Sequence, residues 1–371
     1  MKLKVCLVIP TLVQGGAEKQ LCLLAENLDR SRFEVDVIVL THSGVYEDRL
    51  KSAGVSLHFI GKRAKFDPWA YRRLSRKIGE LKPDIVHTWL FAANAYGRWA
   101  AYRRGVPGII GGERSVDPWK STWQLIVDRH LAKISSCIAT NTRAVTDFYA
   151  DRGIPAEKFT VIPNAVLPAE RRQLEKSELF ERLQIPARSK VVGAIGRLWA
   201  QKNYRELIWA AELLHAAYQD VWFVILGDGP DLKRLQHDRD LAGAKDSVRF
   251  AGHRSDAAEL LSAFDVLWNG SLYEGQSNTI LEAMAQGIPV VASDIPGNRD
   301  LVINDETGYL YQIGDVETLT KRTNHLLRNR ELALRLGEAA QQRVQSEFSL
   351  PAMIKRHEQL YLSVAEERQQ G

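Results

Sequence analysis

The sequence has only three cysteines, Cys6, Cys22 and Cys137, and their spacing is typical of neither disulfide pairs nor metal sites. We therefore expect reduced, buried thiols in a cytoplasmic protein. Long apolar runs are missing too. None approaches the roughly 20 residues that cross a bilayer, and the apolar stretch after Met1 is too short for a signal peptide. Low-complexity tracts and short tandem repeats are also lacking. What is present, 371 residues with 45% apolar and 26% charged side chains, is the composition of a globular protein large enough for two domains.

Positive charge is concentrated in the first half of the chain. Residues 1–170 contain 25 Lys and Arg against 17 Asp and Glu, whereas the remainder contains 25 against 28. Much of the excess lies in basic clusters with tryptophans nearby: Lys62, Arg63, Lys65, Arg72, Arg73, Arg76, Lys77, Arg103 and Arg104, with Trp69, Trp99, Trp119 and Trp123. This mixture indicates contact with an anionic membrane surface or a phosphorylated lipid. A solvated basic face is the alternative, and the sequence leaves both open. No nucleic-acid-binding motif accompanies the charge, so nucleic acid is not an expected partner.

Short apolar runs alternate with helical patterns along the chain, which is typical of βαβ units and parallel sheets. The predicted fold class is therefore α/β, with two Rossmann-like parallel-sheet domains facing each other across a cleft. We assign residues 1–168 to the first domain and 169–350 to the second, with a polar connection over 168–190. The last helix, 351–371, is expected to cross back onto the first domain. Other predicted helices include 92–104, 119–134 and 299–303, with further helix from Val316 onward. Ligands of open α/β sheets bind beyond the carboxyl ends of the strands, so the cleft is the expected site.

Two glycines, Gly15 and Gly16, follow the first predicted strand and open the first helix. They let a ligand approach the backbone closely and leave N–H groups for an anion. The segment fits neither Gly-x-Gly-x-x-Gly nor a P-loop, which argues against a dinucleotide or ATP site. A plain β–α turn is the alternative.

A second constellation is Gly196-Arg197 at the end of a predicted strand, with Lys202 five residues after Arg197 and near a helix start. Arg197 can hold a phosphate through two N–H groups, while Lys202 acts as a point charge. Together they can neutralise a departing diphosphate without a metal ion; a pair of surface charges is the alternative. Asp238 and Asp240 resemble a metal-binding Asp-x-Asp pair, but they lie in a charged helical stretch away from any strand end. No metal site is therefore predicted.

Two further strand ends carry candidate contacts to a nucleoside. Gly227 follows the strand ending at Leu226 and permits close approach by a flat base or ribose, although a tight turn is the common role of such a glycine. Arg254 follows Gly252 and His253 at the next strand end, where backbone groups can contact a nucleobase. His253 itself is interpreted as a loop residue rather than a catalyst.

The most informative segment runs from Glu274 through Gly-Gln-Ser-Asn-Thr-Ile-Leu to Glu282. A polar loop precedes a helix predicted over 278–286, which Ser277 caps and Gly287 ends. The N–H groups and positive end of such a helix attract phosphate, and carboxylates accept hydrogen bonds from sugar hydroxyls. Glu274 lies in the loop and Glu282 about one turn into the helix, so we expect them to contact different parts of a ligand. The alternative is a solvated Glu274 and a Glu282 that merely stabilises its helix.

Together these motifs resemble the retaining glycosyltransferases of the GT4 family, which have the GT-B fold, and the resemblance covers nearly the whole chain. Its specific parts are the two-glutamate segment, Glu274 and Glu282, and the pair Arg197 and Lys202. The supporting parts are Gly15-Gly16-Ala-Glu18, Val161-Ile-Pro-Asn164-Ala-Val, Asn203 after Lys202, and Phe348-Ser with Tyr361.

The resemblance implies roles for these residues. Arg197 and Lys202 are implied to hold the donor diphosphate, Glu282 to accept hydrogen bonds from the ribose hydroxyls, and Glu274 to contact the transferred sugar. Gly16 is implied to approach the β-phosphate. The backbone amides implied to meet the sugar and phosphates are those of Gln276, Ser277, Asn278 and Thr279.

The chain departs from the family's pattern at one position. Many members have a histidine after the strand that corresponds to Gly108–Gly111, where it contacts the donor sugar. Here Glu113 and Arg114 stand instead, as in a subset of bacterial surface-polysaccharide transferases, so the role passes to one of them or is absent. Gly15, His87 and Arg114 are expected on the acceptor side.

The sequence thus predicts a metal-independent, retaining hexosyltransferase without a cofactor, with Glu274, Arg197, Lys202 and Glu113 as catalytic residues. The donor is expected to be a nucleotide sugar, UDP-linked rather than GDP-linked. The expected acceptor is a glycan, linked to a polyprenyl diphosphate or a lipid A core. We expect a cytoplasmic monomer, peripheral on the inner face of the plasma membrane. The alternatives are a nucleotide-sugar epimerase or phosphorylase of the same fold, and a non-catalytic subunit that binds sugar nucleotides.

Overall fold

The structure, a computed structural model, describes residues 2–168 and 176–367. The chain divides into two compact units. Unit 1 contains the residues up to Ala165 together with the segment from Leu350, and unit 2 contains Val166–Ser349. The predicted start of the second domain, 169–175, and the predicted end of the last helix, 368–371, lie outside the described residues.

Unit 1 is built on a parallel sheet of seven strands among its described residues, in the order β3-β2-β1-β4-β5-β6-β7. The strands are β1 Leu3–Ile9, β2 Phe33–Val39, β3 Ser56–Phe59, β4 Ile85–Trp89, β5 Gly108–Glu113, β6 Cys137–Thr140 and β7 Phe159–Val161.

Helices cover both faces of this sheet, as parallel strands require. They are α1 Gly16–Asn27, α2 Glu47–Ser52, α3 Pro68–Leu81, α4 Leu90–Ala93, α5 Trp99–Arg103, α6 Thr122–Ile134, α7 Arg143–Ala150 and, from the end of the chain, α16 Leu350–Glu367. Because successive side chains of a strand point to opposite faces, β1 serves both layers. Leu7 and Ile9 lie in the core cluster with α1 and α16, whereas Cys6 and Val8 lie in the cluster with α3 and α5.

Unit 2 repeats this plan with six strands between residues 176 and 349, in the order β10-β9-β8-β11-β12-β13, all parallel. The strands are β8 Lys190–Ile195, β9 Val221–Leu226, β10 Val248–Gly252, β11 Val266–Asn269, β12 Val290–Ser293 and β13 Tyr309–Tyr311. The helices are α8 Lys176–Leu183, α9 Tyr204–Ala217, α10 Leu232–Leu241, α11 Ala257–Leu261, α12 Asn278–Ala285, α13 Pro296–Arg299, α14 Val316–Arg328 and α15 Arg330–Glu347. Val191 packs in the core with α8, α12 and α15, and its neighbour Val192 packs in the core with α9 and α14.

Four helix predictions need correction. The stretch 168–190 contains α8, whose Leu179, Phe180 and Leu183 are buried although most of its other residues are charged. The helical stretch predicted from Val316 onward is two helices, because Asn329 caps α15 by accepting from the Leu332 amide (3.0 Å). The remaining three differ at their bounds: 92–104 starts at Leu90 and contains a π turn at Asn94–Arg98, 119–134 starts at Thr122, and 299–303 is replaced by Pro296–Arg299.

None of the helices in the described ranges combines the length and the apolar composition needed to span a bilayer.

Candidate functional site

The carboxyl ends of three neighbouring strands of unit 2 are held together by glycine backbones. The Gly196 amide donates to the Leu226 carbonyl (3.0 Å), and the Gly227 amide donates to the Gly252 carbonyl (2.8 Å). A Cβ on Gly227 would overlap the Gly196 carbonyl, and Gly227 has a φ of 150°. Only glycine therefore allows the loops after β8 and β9 to come this close.

The loops after β8 and β11 bring Lys202 and Glu274 together. The Lys202 ammonium forms an ion pair with Oε1 of Glu274, and the Ser271 hydroxyl donates to the same oxygen (2.8 Å). Two hydrogen bonds lock the loops, because Gln201 donates to the Tyr273 carbonyl and accepts from the Leu272 amide (both 2.8 Å). The lysine and glutamate side chains are 21% and 11% exposed, so the pair is shielded but still open to a small ligand.

Helix α12 starts beside this ion pair. Ser277 caps it by accepting from the Ile280 amide (3.4 Å), and the Asn269 side chain donates to the same hydroxyl (3.2 Å). The Thr279 hydroxyl donates to the Ile195 carbonyl (3.3 Å), which fixes the N-terminus of α12 against the end of β8. The structure therefore places a positive helix end next to Lys202, an arrangement suited to a phosphate.

The other predicted donor residues of unit 2 have different surroundings. Arg197 is exposed, and its guanidinium lies over the Trp199 ring, 4.0 Å from the centroid. Arg254 is bound by both oxygens of Asp256 (2.7 and 2.6 Å), so its charge is already matched within unit 2. Glu282 is half-buried on α12. Gln276 is buried, and Asn278, like Thr279, is half-buried.

The Gly15-Gly16 turn of unit 1 lies under a carboxylate. Gly15 is the N-cap of α1 and Gly16 its exposed first residue. Oε1 of Glu18 accepts from the Thr11 hydroxyl (3.1 Å), and its Oε2 takes the space that a Cβ on Gly15 would need. Burial raises the pKa of Glu18 above its ordinary value. In the sequence Glu18 is distinguished only as part of the motif Gly15-Gly16-Ala-Glu18, whereas in the structure its carboxylate covers this helix start.

Glu113 was predicted to be catalytic, but the structure places it inside a buried charge cluster. It is 3% exposed, and Asn94 donates to its Oε1 (2.8 Å). Lys120 (3.2 Å) and Tyr149 (3.1 Å) donate to its Oε2. Both oxygens of Glu113 thus have hydrogen-bond partners within unit 1, and its catalytic role stays a prediction.

Lys120 is the centre of this buried cluster and was missed by sequence analysis. Its ammonium also donates to Asp128 (2.9 Å) and Tyr149 (2.6 Å) and lies 3.6 Å from Asp117. Burial raises the pKa of Asp117 and of Asp128 to about 6. Nothing in the sequence distinguishes Lys120 from a surface lysine, because its partners come from three different elements.

The predicted acceptor-side residues His87 and Arg114 are buried as well. His87 is 1% exposed, its Nδ1 lies 2.9 Å from the Tyr361 hydroxyl, and burial lowers its pKa. His87 is thus packed inside unit 1, and its acceptor-side role stays a prediction. Arg114 is 8% exposed, lies over the Trp89 ring (4.6 Å) and donates to Asn164. Burial lowers the pKa of Arg114 to about 9.

The predicted metal-like pair is engaged by cations. Asp238 lies 3.8 Å from Arg205 and 4.0 Å from Arg234. Asp240 is paired with Arg239 (2.7 Å) and Lys245 (3.4 Å). In the described part of the chain, no group of three or more His, Cys, Asp and Glu side chains is arranged to hold a metal ion.

Two family models match the chain, one over each half. Residues 14–170 match the family model described as Glycosyltransferase Family 4, and residues 175–343 match the model described as Glycosyl transferases group 1. The UDP-Gal:alpha-D-GlcNAc-diphosphoundecaprenol alpha-1,3-galactosyltransferase of Escherichia coli is 28% identical over 310 residues, covering 78% of each chain. A GDP-mannose-dependent alpha-mannosyltransferase of Mycolicibacterium smegmatis is 30% identical over 285 residues, covering 72% of each chain.

The fold has solved counterparts. The structure of Anabaena Alr3699/HepE in complex with UDP-glucose matches with a TM-score of 0.87 at 22% identity, covering 96% of this chain and 99% of that one. The predicted α/β class with two Rossmann-like domains is confirmed, and the fold is GT-B. The chain belongs to glycosyltransferase family 4 and is a glycosyltransferase.

Proposed function

We propose that this glycosyltransferase is a retaining, metal-independent hexosyltransferase that moves a sugar from a UDP-sugar to a lipid-linked glycan. The observation that carries the proposal is the partly exposed Lys202–Glu274 pair beside the Ser277-capped start of α12. At one sheet edge, basic groups and a helix N-terminus suit the diphosphate of a nucleotide sugar, and carboxylates suit the hydroxyl groups of its sugar and ribose.

The donor diphosphate is proposed to bind where Lys202 and the amides of α12 can reach it. Arg197, exposed at the end of β8, supplies the second cation after leaving its stacked position on Trp199. As the bond between the sugar and the diphosphate breaks, these groups stabilise the charge that builds up on the leaving group. Two cations and the positive end of a helix balance this negative charge, so the proposed reaction needs no metal ion. Unchanged turnover after EDTA treatment is the expected result, and loss that Mg²⁺ or Mn²⁺ restores would contradict it.

Retention follows if the acceptor hydroxyl attacks on the face that the diphosphate leaves. The hydroxyl oxygen forms the new bond to the anomeric carbon, and its proton passes to the departing phosphate oxygen. Both curated relatives are named as alpha-transferases. The test is an NMR measurement of the anomeric configuration of the product formed from an α-linked UDP-sugar; a β-product would refute retention.

The donor nucleotide is proposed to be UDP rather than GDP. The E. coli relative is named for UDP-Gal and the mycobacterial one for GDP-mannose. Anabaena Alr3699/HepE was solved with UDP-glucose. Calorimetric titration with UDP-, GDP- and ADP-sugars will identify the nucleotide, and we expect the UDP-sugar to bind most tightly.

The acceptor is proposed to be a glycan on a polyprenyl diphosphate or a lipid A core, reached at an anionic membrane. The E. coli relative is named for an acceptor of the first kind. In unit 1, residues 61–106 contain 11 Lys and Arg against 3 Asp and Glu. Helices α3 and α5, which pack together in this segment, carry exposed aromatic side chains on or next to them: Phe66, Trp69, Trp99 and Tyr102, between 46% and 82% exposed. Apolar rings among basic groups suit a peripheral contact with anionic lipid on the inner face of the plasma membrane.

Vesicle flotation tests this contact. Phe66→Ala with Trp69→Ala should reduce binding to phosphatidylglycerol vesicles several-fold, and binding to phosphatidylcholine, which we expect to be weak, should stay unchanged. The matched control is Trp209→Ala, since Trp209 is 43% exposed but lies on α9 of unit 2. Equal binding by all variants would remove the membrane from the proposal. The protein is expected to run as a monomer in light scattering without vesicles.

The transferase assignment is tested by Lys202→Ala and Glu282→Ala. Each should lower sugar transfer by orders of magnitude while the melting temperature is kept. The matched controls are Lys245→Ala and Glu317→Ala, which remove exposed members of ion pairs elsewhere in unit 2. Near-wild-type transfer by both test variants would refute the site. Conversion of the sugar without an acceptor would instead indicate an epimerase. A requirement for inorganic phosphate would indicate a phosphorylase, and binding without turnover would indicate a non-catalytic subunit.

A further inference from the structure

Tyr204 lies next to the proposed diphosphate position, and neither the sequence motifs nor the family resemblance assigned it a role. It is the first residue of α9, two positions after Lys202. Asn203 between them has left-handed backbone geometry (φ 51°), which turns the chain so that the Tyr204 side chain points inward and is 3% exposed.

The Tyr204 hydroxyl and the lysine side chain converge on one backbone position. The hydroxyl oxygen is 3.1 Å from the point that a Cβ on Gly196 would occupy, and Cε of Lys202 is 3.5 Å from the same point. Gly196 directly follows β8 and has no side chain, so the Tyr204 hydroxyl and the end of the Lys202 side chain both approach the space where a Cβ would stand. This is the edge against which the start of α12 is fixed.

The electrostatic surroundings keep this hydroxyl protonated. Burial and, second, the Glu274 carboxylate raise the pKa of Tyr204 above its ordinary value. The group is therefore a hydrogen-bond donor throughout the physiological pH range.

We propose that the Tyr204 hydroxyl donates a hydrogen bond to the β-phosphate of the bound nucleotide sugar, beside Lys202. The inference rests on the proposed diphosphate site and adds one protein contact to it. The β-phosphate is the one bonded to the sugar, and Tyr204 lies near Glu274, the residue proposed to contact that sugar. A neutral donor next to the ammonium orients the phosphate, because a hydroxyl bond is directional whereas a point charge is not.

The test is calorimetric titration of UDP and UMP into wild-type protein and Y204F, a change that removes one oxygen and keeps the ring. We expect Y204F to bind UDP about tenfold more weakly, which corresponds to about 1.4 kcal/mol, and to bind UMP as wild type does, since UMP has no β-phosphate. The matched control is Y311F. Tyr311 is also a buried tyrosine of unit 2, on β13, and its loss of a hydroxyl should change neither affinity.

Each outcome decides the matter. Wild-type affinity of Y204F for UDP overturns the inference, and so does equal weakening for UDP and UMP, because that pattern indicates a merely structural residue. If wild-type protein prefers GDP, the same comparison is made with GDP and GMP. Wild-type protein that binds neither UDP nor GDP overturns the proposed function itself, whereas normal wild-type binding with an unaffected Y204F overturns only the role of Tyr204.

Discussion

Glu274 and a bound diphosphate should compete for the same ammonium group. In the structure Lys202 is paired with Glu274, and a phosphate that binds Lys202 must displace that carboxylate. Glu274→Gln keeps the size of the side chain and one oxygen for the Ser271 hydroxyl, but removes the competing charge. The substitution should therefore tighten UDP binding while it lowers sugar transfer.

The size of the effect follows from the burial of the pair. Exposed ion pairs contribute about 0–1 kcal/mol, and breaking a fully buried pair costs about 3–5 kcal/mol. With 21% and 11% exposure, the Lys202–Glu274 pair lies between these limits. We take about 1–2 kcal/mol, which predicts UDP affinity that is about 5- to 30-fold higher in E274Q.

Calorimetry with UDP at low and high salt measures the gain, and it should shrink as salt screens the ammonium. The matched control is Glu259→Gln, which removes a partly buried carboxylate 3.3 Å from Arg182 in the same unit. That variant should bind UDP as wild type does. UDP affinity of E274Q equal to or below that of wild type would refute the reasoning, because Lys202 would then not be the phosphate ligand that Glu274 blocks.

Three further predictions concern stability. Lys120→Met leaves two buried carboxylates and the half-buried Asp117 without their ammonium. It should lower the free energy of unfolding by about 3–5 kcal/mol in urea denaturation, whereas Lys245→Met, at an exposed pair, should lower it by less than about 1 kcal/mol. Asn203→Ala should lower the free energy of unfolding by about 1–2 kcal/mol, because the φ of 51° at this position is left-handed and the hydrogen bond to Glu206 is lost. Asn203→Gly should lower it by less than half as much, since glycine adopts this φ readily. Burial raises the pKa of Asp117 to about 6, so the folded state holds that proton more tightly than the unfolded chain does. The free energy of unfolding should therefore fall as pH rises from about 4 to about 6. Asp117→Asn should flatten this part of the plot of melting temperature against pH, and an unchanged plot would contradict the prediction.

The parallel strands could be predicted from sequence because they are buried on both faces. Segments such as Val266–Asn269 and Val290–Ser293 appear as short apolar runs between turn residues, and the structure has strands with these bounds. Short or charged helices escaped prediction for the opposite reason. In α8 only three of eight residues are buried hydrophobics, so its pattern is masked by Lys, Glu and Arg.

The contact between Lys202 and Glu274 was within reach of sequence reasoning. Each follows a strand of the same sheet, and β8 and β11 are neighbours in its order, so their carboxyl-end loops must meet. The partners of Glu113 were not within reach. From sequence, a carboxylate at a strand end is equally compatible with facing a ligand or facing a buried lysine. The lysine that pairs with Glu113, Lys120, comes from the irregular segment before α6.

The two units use charge at their strand ends in different ways, and this difference limits where acceptor specificity can arise. In unit 1 the acidic and basic groups around Glu113 and Lys120 are buried and pair with one another, which fixes the segment between β5 and α6. In unit 2 the Lys202 side chain is 21% exposed, and the exposed Arg197 guanidinium lies over the Trp199 ring. A cation with a displaceable partner can exchange it for a phosphate, whereas a fully buried network cannot exchange without unfolding locally. We therefore expect substitutions in the Glu113 cluster to change stability before they change the sugar that is transferred, and exposed side chains of unit 1 to determine the acceptor.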